Sequence, residues 1–266
     1  MPRLSIIIVT YNSRGEIDDA LRALREPRPR IDHEIVVVDN ASTDSTASHL
    51  RATWPAVRVI DAGANVGFAA ANNIGIRQTS SELVLLLNPD TRAHGPAIDS
   101  LVAALDSQRD VAVVGPRIVD AGGHAELSFG RMISPIAELR QKMVQRMTAI
   151  VDDMTRRTRE VDWVSGACLM IRRADLEACG LFDERFFMYT EDVDLCAAVR
   201  ARGRKVLFLA AAQIEHLRGR SVASAQRPTS MAYRRSQIAF YEKHHPRWVP
   251  ALKAYLKIRG RLPDKR

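Results

Sequence analysis

The chain has 266 residues, 46% of them hydrophobic and 26% charged, which is enough apolar chain for a sizeable core and excludes disorder as the default. The formal net charge is +8, a balance that fits either an anionic partner (a nucleotide, a nucleic acid, an anionic membrane surface) or simply a solvated basic surface. Cys168, Cys179 and Cys196 are odd in number and show neither CxxC nor Cys/His zinc spacing, so reduced, mostly buried thiols and a cytoplasmic setting are expected.

The first half alternates between two periods. Leu4–Thr10 is a continuous apolar, β-branched run, as in a strand covered on both faces. Glu16–Arg25 carries Ile17, Leu21 and Leu24 at helical spacing. Glu34–Val38 predicts a second buried strand, Ser42–Thr53 a helix with Ser42 or Thr43 near its N-cap, and Val57–Ile60 a third strand. Gly67–Gln78 predicts a helix, Leu83–Leu87 a fourth buried strand, Ala97–Leu105 a helix and Val111–Val114 a strand. This rhythm argues for an α/β fold with a mainly parallel sheet and helices on both faces. The second half is less regular. Pro135–Met154 has helical spacing, Val161–Arg172 reads as a strand region, Glu191–Arg202 as a helix and Val206–Leu209 as a last short strand. From about Met231 onward comes a basic, aromatic-containing helical tail. The chain starts directly on a strand-like run, without a signal-peptide pattern, and has no apolar stretch of about eighteen residues to span a membrane.

In open α/β sheets, ligands bind beyond the carboxyl ends of the strands. Polar residues stand at four such ends: Thr10-Tyr11-Asn12, Asp39-Asn40, Asp61 followed by Asn65 and Gly67, and Asn88-Pro89-Asp90. Asp39 can accept hydrogen bonds from a base or ribose, or merely cap the next helix. Asp90 follows Pro89, which stiffens the turn; a carboxylate there suits a hard divalent ion that shares its shell with substrate phosphates, or else belongs to an ordinary turn. The glycines of Asn65-Val66-Gly67-Phe68 to Asn73-Ile74-Gly75 allow close backbone approach to a nucleotide, but the GxGxxG spacing of a dinucleotide fold is missing, which disfavours a nicotinamide enzyme.

The densest signal lies in Phe182–Asp194, where five acids fall within twelve residues beside four aromatics. The aromatics can wall a sugar pocket and an acid can take a proton from an acceptor hydroxyl. A cap at Thr190 followed by acids complementing the helix dipole would explain Glu191, Asp192 and Asp194, but not the cluster Phe186-Phe187-Met188-Tyr189 before them. His216 can serve as a metal ligand or phosphate donor.

In this order, SIIIVTYN, EIVVVDNASTD, NVGFAAANNIGI, LLLNPD, VSGACLMIRR and GLFDERFFMYTEDVDLCAAVRARG resemble the family-2 glycosyltransferases of GT-A fold, and the later segments are similar to bacterial rhamnosyltransferases. The resemblance runs from about Leu4 to Gly219. It implies a GT-A domain over residues 1–225, with a nucleotide-sugar half (about 1–115) and an acceptor half (about 116–225), followed by the basic helical tail, 226–266. It implies that Asp39 binds the nucleotide base, with Thr10, Tyr11, Asn12, Asn40, Asn65, Gly67 and Asn73 around the donor. The family's DxD stands here as Asn88-Pro89-Asp90, so Asp90 becomes the principal ligand of Mg²⁺ or Mn²⁺, with His216 as a second. Asp192 resembles the catalytic base, with Glu191 as the alternative. Trp163, Gly166 and Ala167 fall where the acceptor is met, and Arg235 is placed near the diphosphate. The implied reaction is an inverting transfer of a sugar, with rhamnose from dTDP-rhamnose favoured over UDP- or GDP-sugars. The expected acceptor is a hydroxyl of a cell-envelope glycan or a polyprenyl-diphosphate-linked acceptor.

From Tyr233 to Arg266, ten Lys and Arg residues stand against Glu242 and Asp264, an excess as large as that of the whole chain. Tyr241, Trp248, Tyr255 and Leu256 are interleaved with them. This pattern fits a peripheral segment on an anionic inner leaflet, with Met132–Met154 near a lipid-linked acceptor, or a solvated helix packing its aromatics on the domain. A sugar-nucleotide nucleotidyltransferase is disfavoured, because Tyr11-Asn12-Ser13 stand where such enzymes carry a Gly-rich loop. A nucleic-acid binder is disfavoured because the charge sits in the tail. The intact Thr190-Glu191-Asp192 argues against a non-catalytic sugar-nucleotide binder.

Overall fold

The structure, a computed structural model, describes residues 1–134, 137–138, 143, 147–217 and 226–263, without the side chains of 226–230. Residues 135–136, 139–142 and 144–146 of the expected helix 135–154, the segment around Gly219, the 225/226 boundary and the last three residues of the tail lie outside the described residues.

The first half follows the expected order. It comprises β1 (Leu4–Thr10), α1 (Ile17–Arg25), β2 (His33–Asp39), α2 (Thr46–Thr53), β3 (Arg58–Asp61), α3 (Phe68–Arg77), β4 (Leu83–Leu87), β5 (Thr91–Arg92), α4 (Gly95–Ser107) and β6 (Val111–Val119). The second half adds β7 (Ala125–Glu126), β8 (Phe129–Gly130), α5 (Thr148–Met154), β9 (Arg159–Val161), β10 (Trp163–Val164), β11 (Cys168–Arg172), α6 (Arg173–Ala178), α7 (Glu191–Ala201) and β12 (Lys205–His216). The helices α8 (Gln226–His244) and α9 (Val249–Ile258) follow.

One sheet runs in the order β3-β2-β1-β4-β11-β6-β12-β5. β1 pairs in parallel with β2 and β4, and β6 with β12. The continuous apolar runs follow from burial on both faces. On β1, Ile7 and Val9 enter one hydrophobic layer with α3, α7 and the Phe240 region of α8. Leu4, Ile6 and Ile8 enter the other, with α1, α2 and α4.

The sheet is mixed at one decisive place. β11 is antiparallel to both of its neighbours, β4 and β6. Its N-terminal end therefore arrives at the edge where the parallel strands finish, and Gly166-Ala167 lie beside Asn88 rather than at the far side of the sheet. The Asn88 amide donates to the Ala167 carbonyl at 3.0 Å.

Three local expectations are corrected. The helix expected from Ser42 starts at Thr46, and Ser45, at its N-cap, has φ 66° and no side-chain cap. Ser42, Thr43 and Asp44 instead spend their hydrogen bonds on Asp39, Asn12 and Thr46, which competes with helix formation. Thr190 does precede α7, but its side chain makes no cap bond. The short last strand extends to His216 through an irregularity between Leu209 and Gln213, supported by pairing with β6 that the local pattern does not display.

Helix α3 begins under the segment 182–190. Gly67 has φ 88°, and a Cβ there would overlap the carbonyl oxygen and ring of Phe187. Gly67→Ala is expected to destabilise the fold by about 1–3 kcal/mol, read as a lowered midpoint in urea unfolding followed by circular dichroism.

Candidate active site

One side of the candidate site is built from aligned strand ends. Thr10, Asp39 and Asp61 occupy successive register positions on β1, β2 and β3. Thr10 and Asp39 are buried. Asp39 Oδ2 accepts from the Ser42 amide at 3.0 Å, while Asp39 Oδ1 and Thr10 Oγ1 are buried without a partner among the described residues. An unsatisfied buried carboxylate oxygen is costly, and a ligand donor would relieve it. Asn12, at φ 52°, accepts from the Thr43 amide at 2.7 Å, and its own amide donates to Ser42 Oγ. Tyr11 is exposed beyond the strand.

Asn40, Asn65, Gly67 and Asn73 are tied into the loops of this edge. Asn40 donates to Asn65 Oδ1 at 2.9 Å and accepts from the Val66 amide at 3.0 Å. Asn65 also accepts from the Gly67 amide. Asn73 donates to the Phe182 carbonyl and to Glu184, and accepts from the Phe182 amide at 3.0 Å. These residues stitch the loop after β3, and then the acidic segment, onto the sheet edge.

At the centre of that edge stands Asp90. Its Oδ1 lies 3.2 Å from His216 Nε2, and its backbone carbonyl accepts from the Leu217 amide at 2.8 Å. The antiparallel pairing of β5 with β12 sets Thr91 opposite His216 and so fixes this approach. Glu126 Oε2, which the sequence reading missed, lies 3.6 Å from the other ring nitrogen of His216. Nothing in the sequence marks Glu126, because a separate hairpin strand brings it in. Cis ligands of an octahedral ion with bonds near 2.1 Å sit about 3 Å apart, so Asp90 Oδ1 and His216 Nε2 fit a shared hard cation. Among the described residues no group of three or more His, Cys, Asp or Glu forms a closed metal cage. Such a cage is not needed where substrate phosphates complete the shell.

Glu191 and Asp192 open α7. The two preceding residues, Tyr189 and Thr190, have φ of 71° and 65°, sparsely populated values for side chains of this size. Asp192 Oδ2 accepts from the Gly166 amide at 2.8 Å, and Oδ1 from the Val193 amide at 2.8 Å. A Cβ on Gly166 would lie 3.3 Å from Asp192 Cβ, so glycine is what permits this approach. Glu191 is buried with Oε2 unpartnered. Desolvation, reinforced by the Asp192 charge, pushes its carboxyl well above the ordinary value. Desolvation also raises Asp192, against the pull of its backbone donors. One chain of contacts therefore joins the acid to the cation position: Asp192 to Gly166, Ala167 to Asn88, and Asp90 two residues on.

Trp163 is buried, and its indole N–H donates to the Arg131 carbonyl at 2.9 Å, so it supports the acceptor half from inside. Arg235 is exposed on α8, while its neighbour Arg234 lies over the Tyr233 ring and donates to Gln237. The cysteines are free; burial pushes the Cys168 and Cys196 thiols up to about 12, which removes them from nucleophilic work.

The chain has counterparts among known proteins. Residues 5–180 match the sequence model of Glycosyl transferase family 2. The chain belongs to this family. It is therefore a glycosyltransferase, and its sheet and helices are those of the GT-A fold. It is 28% identical to an N-acetylglucosaminyl-diphospho-decaprenol L-rhamnosyltransferase of Mycobacterium tuberculosis, over 99% of this chain and 95% of that protein. It is 27% identical to the dTDP-rhamnosyl transferase RfbF of Shigella flexneri, over 71% of this chain and 60% of that protein. The mannosyltransferase PcManGT of Pyrobaculum calidifontis, solved with GDP-Man and Mn²⁺, superposes with a TM-score of 0.64 at 21% identity, covering 96% of this chain and 69% of that one.

The buried carboxyl pair sets a pH prediction. With folded values above the unfolded ones, ionising the pair costs stability, and the cost is complete once pH exceeds the folded values. Glu191→Gln is expected to raise the melting temperature at pH 7.5 and to leave it unchanged at a pH below both ordinary carboxylate values, as read by scanning calorimetry. The acid limb of kcat/KM is expected to stay in place, because the charge effect runs from Asp192 onto Glu191 and Glu191 is neutral while Asp192 titrates.

Proposed function

We propose that the chain transfers L-rhamnose from dTDP-rhamnose to a hydroxyl of a polyprenyl-diphosphate-linked glycan, with inversion at the anomeric carbon. The observation that carries this reading is Asp192: a carboxylate held by two backbone amides and connected through Gly166-Ala167 to Asn88 and Asp90. The rhamnosyltransferase relatives support the sugar, and the relative named for a decaprenol-linked substrate supports the acceptor.

In this mechanism Asp39 and Thr10 receive the nucleoside, whose donors satisfy the oxygens that the protein leaves unpaired. Asp192 accepts the acceptor hydroxyl proton as that oxygen attacks the anomeric carbon, and the bond from that carbon to the diphosphate oxygen breaks. Its raised basicity suits this role, while the Gly166 and Val193 amides keep it ionised and oriented. Glu191 stays buried behind it. Asp90 and His216 would hold Mg²⁺ or Mn²⁺, which would offset the charge on the departing diphosphate. A base on one side and a leaving-group site on the other support a single displacement with no covalent enzyme intermediate.

The acceptor reading places the chain at an anionic leaflet. Trp248, Tyr255, Ile258 and Leu262 are exposed and stand among Arg247, Lys253, Lys257, Arg259 and Arg261. Tyr241 and Leu256, by contrast, are buried against the domain. No helix among the described residues is long and apolar enough to cross a membrane, so contact would be interfacial.

Two measurements test these points. In a panel of dTDP-, UDP- and GDP-sugars with and without Mg²⁺ or Mn²⁺, dTDP-rhamnose should be turned over in a metal-dependent way. Asp192→Asn should lower kcat by about 10²–10⁴-fold and Asp90→Ala should abolish the metal response; full activity of Asp192→Asn would remove it as base. The protein should also sediment with phosphatidylglycerol vesicles and lose that binding as salt rises, and a Trp248→Ala/Ile258→Ser double variant should weaken it. Equal binding to phosphatidylcholine vesicles would defeat the electrostatic account.

A further inference from the structure

Asp194 lies two residues beyond Asp192 in the same acidic run, yet it points elsewhere, because residues i and i+2 on a helix do not share a face. Its side chain is 4% exposed, and both oxygens are taken by α8: Oδ2 by Lys243 Nζ at 2.8 Å and Oδ1 by His244 Nε2 at 2.6 Å. The same Lys243 ammonium lies 2.8 Å from Asp183 Oδ2. Asp183 and Asp194 bracket the segment that carries the aromatics, the two left-handed residues and the carboxyl pair. One cation thus joins both ends of that segment. Between them, Ser236 Oγ donates to the Met188 carbonyl at 2.7 Å, and the Tyr233 ring meets Tyr189 edge-on with centroids 5.8 Å apart. From the opposite side, α3 holds the segment through Asn73 and through the Phe68 amide, which donates to the Phe187 carbonyl at 2.6 Å.

We propose that α8 is the positioning element of the catalytic segment: the Lys243 and His244 clasp on Asp194 and Asp183, with Ser236, holds residues 183–192 so that Asp192 meets the Gly166 amide. The physical need is specific. Tyr189 and Thr190 occupy conformations that persist only where surrounding contacts over-determine them. Asp194 is nearly inaccessible to water, and a buried carboxylate requires partners. Arg185 holds the Asp183 carboxyl well below the ordinary value, with Lys243 adding to the effect, and its carboxylate partners raise Lys243, so the Lys243–Asp183 pair is ionised at neutral pH. The basic helix beyond the family match, which ends at residue 180, is in this account a working part of the transferase, and its residues act through Asp192 without touching the reacting atoms. The inference rests on the assignment of Asp192 as base.

The test uses the full chain, with dTDP-rhamnose and an N-acetylglucosaminyl-diphospho-polyprenol acceptor, alongside hydrogen–deuterium exchange, which needs no substrate. Lys243→Met is expected to lower kcat about 10²-fold, as small misplacements of a catalytic group do, with the donor KM within about twofold. Exchange should quicken in 183–193 and at Gly166, and stay unchanged across β1–β4. Lys243→Arg should recover most of the rate. Ser236→Ala, which removes one neutral contact, should quicken exchange over the same segment and decides the matter if Lys243→Met fails to fold. Wild-type kcat in folded Lys243→Met, or unaltered exchange in 183–193, overturns the proposal. Full activity of Asp192→Asn removes the base assignment instead, and the exchange comparison then still reports whether α8 holds the segment.

Discussion

The hydrogen bond from the Gly166 amide to Asp192 joins elements that the chain makes far apart. Gly166 sits at the entry to β11, and Asp192 in the first turn of α7. The bond forms only because β11 runs against its neighbours and delivers its starting end to the edge where β1, β2 and β4 finish. Had β11 been parallel, the second half of the chain would meet the sheet at the opposite end. The carboxylate would then face neither Asn88 nor Asp90.

The site also depends on a division of electrostatic labour. At the ends of β1 and β2, Thr10 Oγ1 and Asp39 Oδ1 have no partner among the described residues and are able to take a ligand. On the α7 side, carboxyls are desolvated and their proton affinity rises. A weakly basic, ionised carboxylate would be a poor proton acceptor, whereas one partly removed from water and held by only two amides is a better one. The cost appears as the unpartnered oxygen of Glu191 and the left-handed Tyr189 and Thr190. Among the described residues, every non-glycine residue with a positive φ lies in the loops after β1 and β2 or in the 181–190 stretch, so local strain is concentrated around the site.

The basic tail serves two directions at once. Its inner face buries Ser236, Gln237, Phe240, Tyr241 and Leu256 against the domain, and its charged end clasps Asp194. Its outer face leaves Trp248, Tyr255 and Ile258 in solvent among lysines and arginines. A charge count over the whole segment cannot separate these duties. The side chains do, because burial assigns each residue to a partner.

The alternation of periods in the first half determined the strands β1, β2 and β4, the helices between them, and the polar residues at the strand ends, because strands buried on both faces must read as continuous apolar runs. Motif order determined the family and pointed to Asp39, Asp90 and Asp192. Tertiary structure alone decided the rest. It turned Ser42–Asp44 from a helix start into a loop that serves Asn12 and Asp39. It spent Asn73 on the acidic segment, brought Glu126 to His216, buried Trp163, and gave Asp194 to the tail. Local sequence encodes which face of an element is apolar, but not which distant chain will complete a polar group's hydrogen bonds. That second assignment is made only when the strands find their order and direction in the sheet.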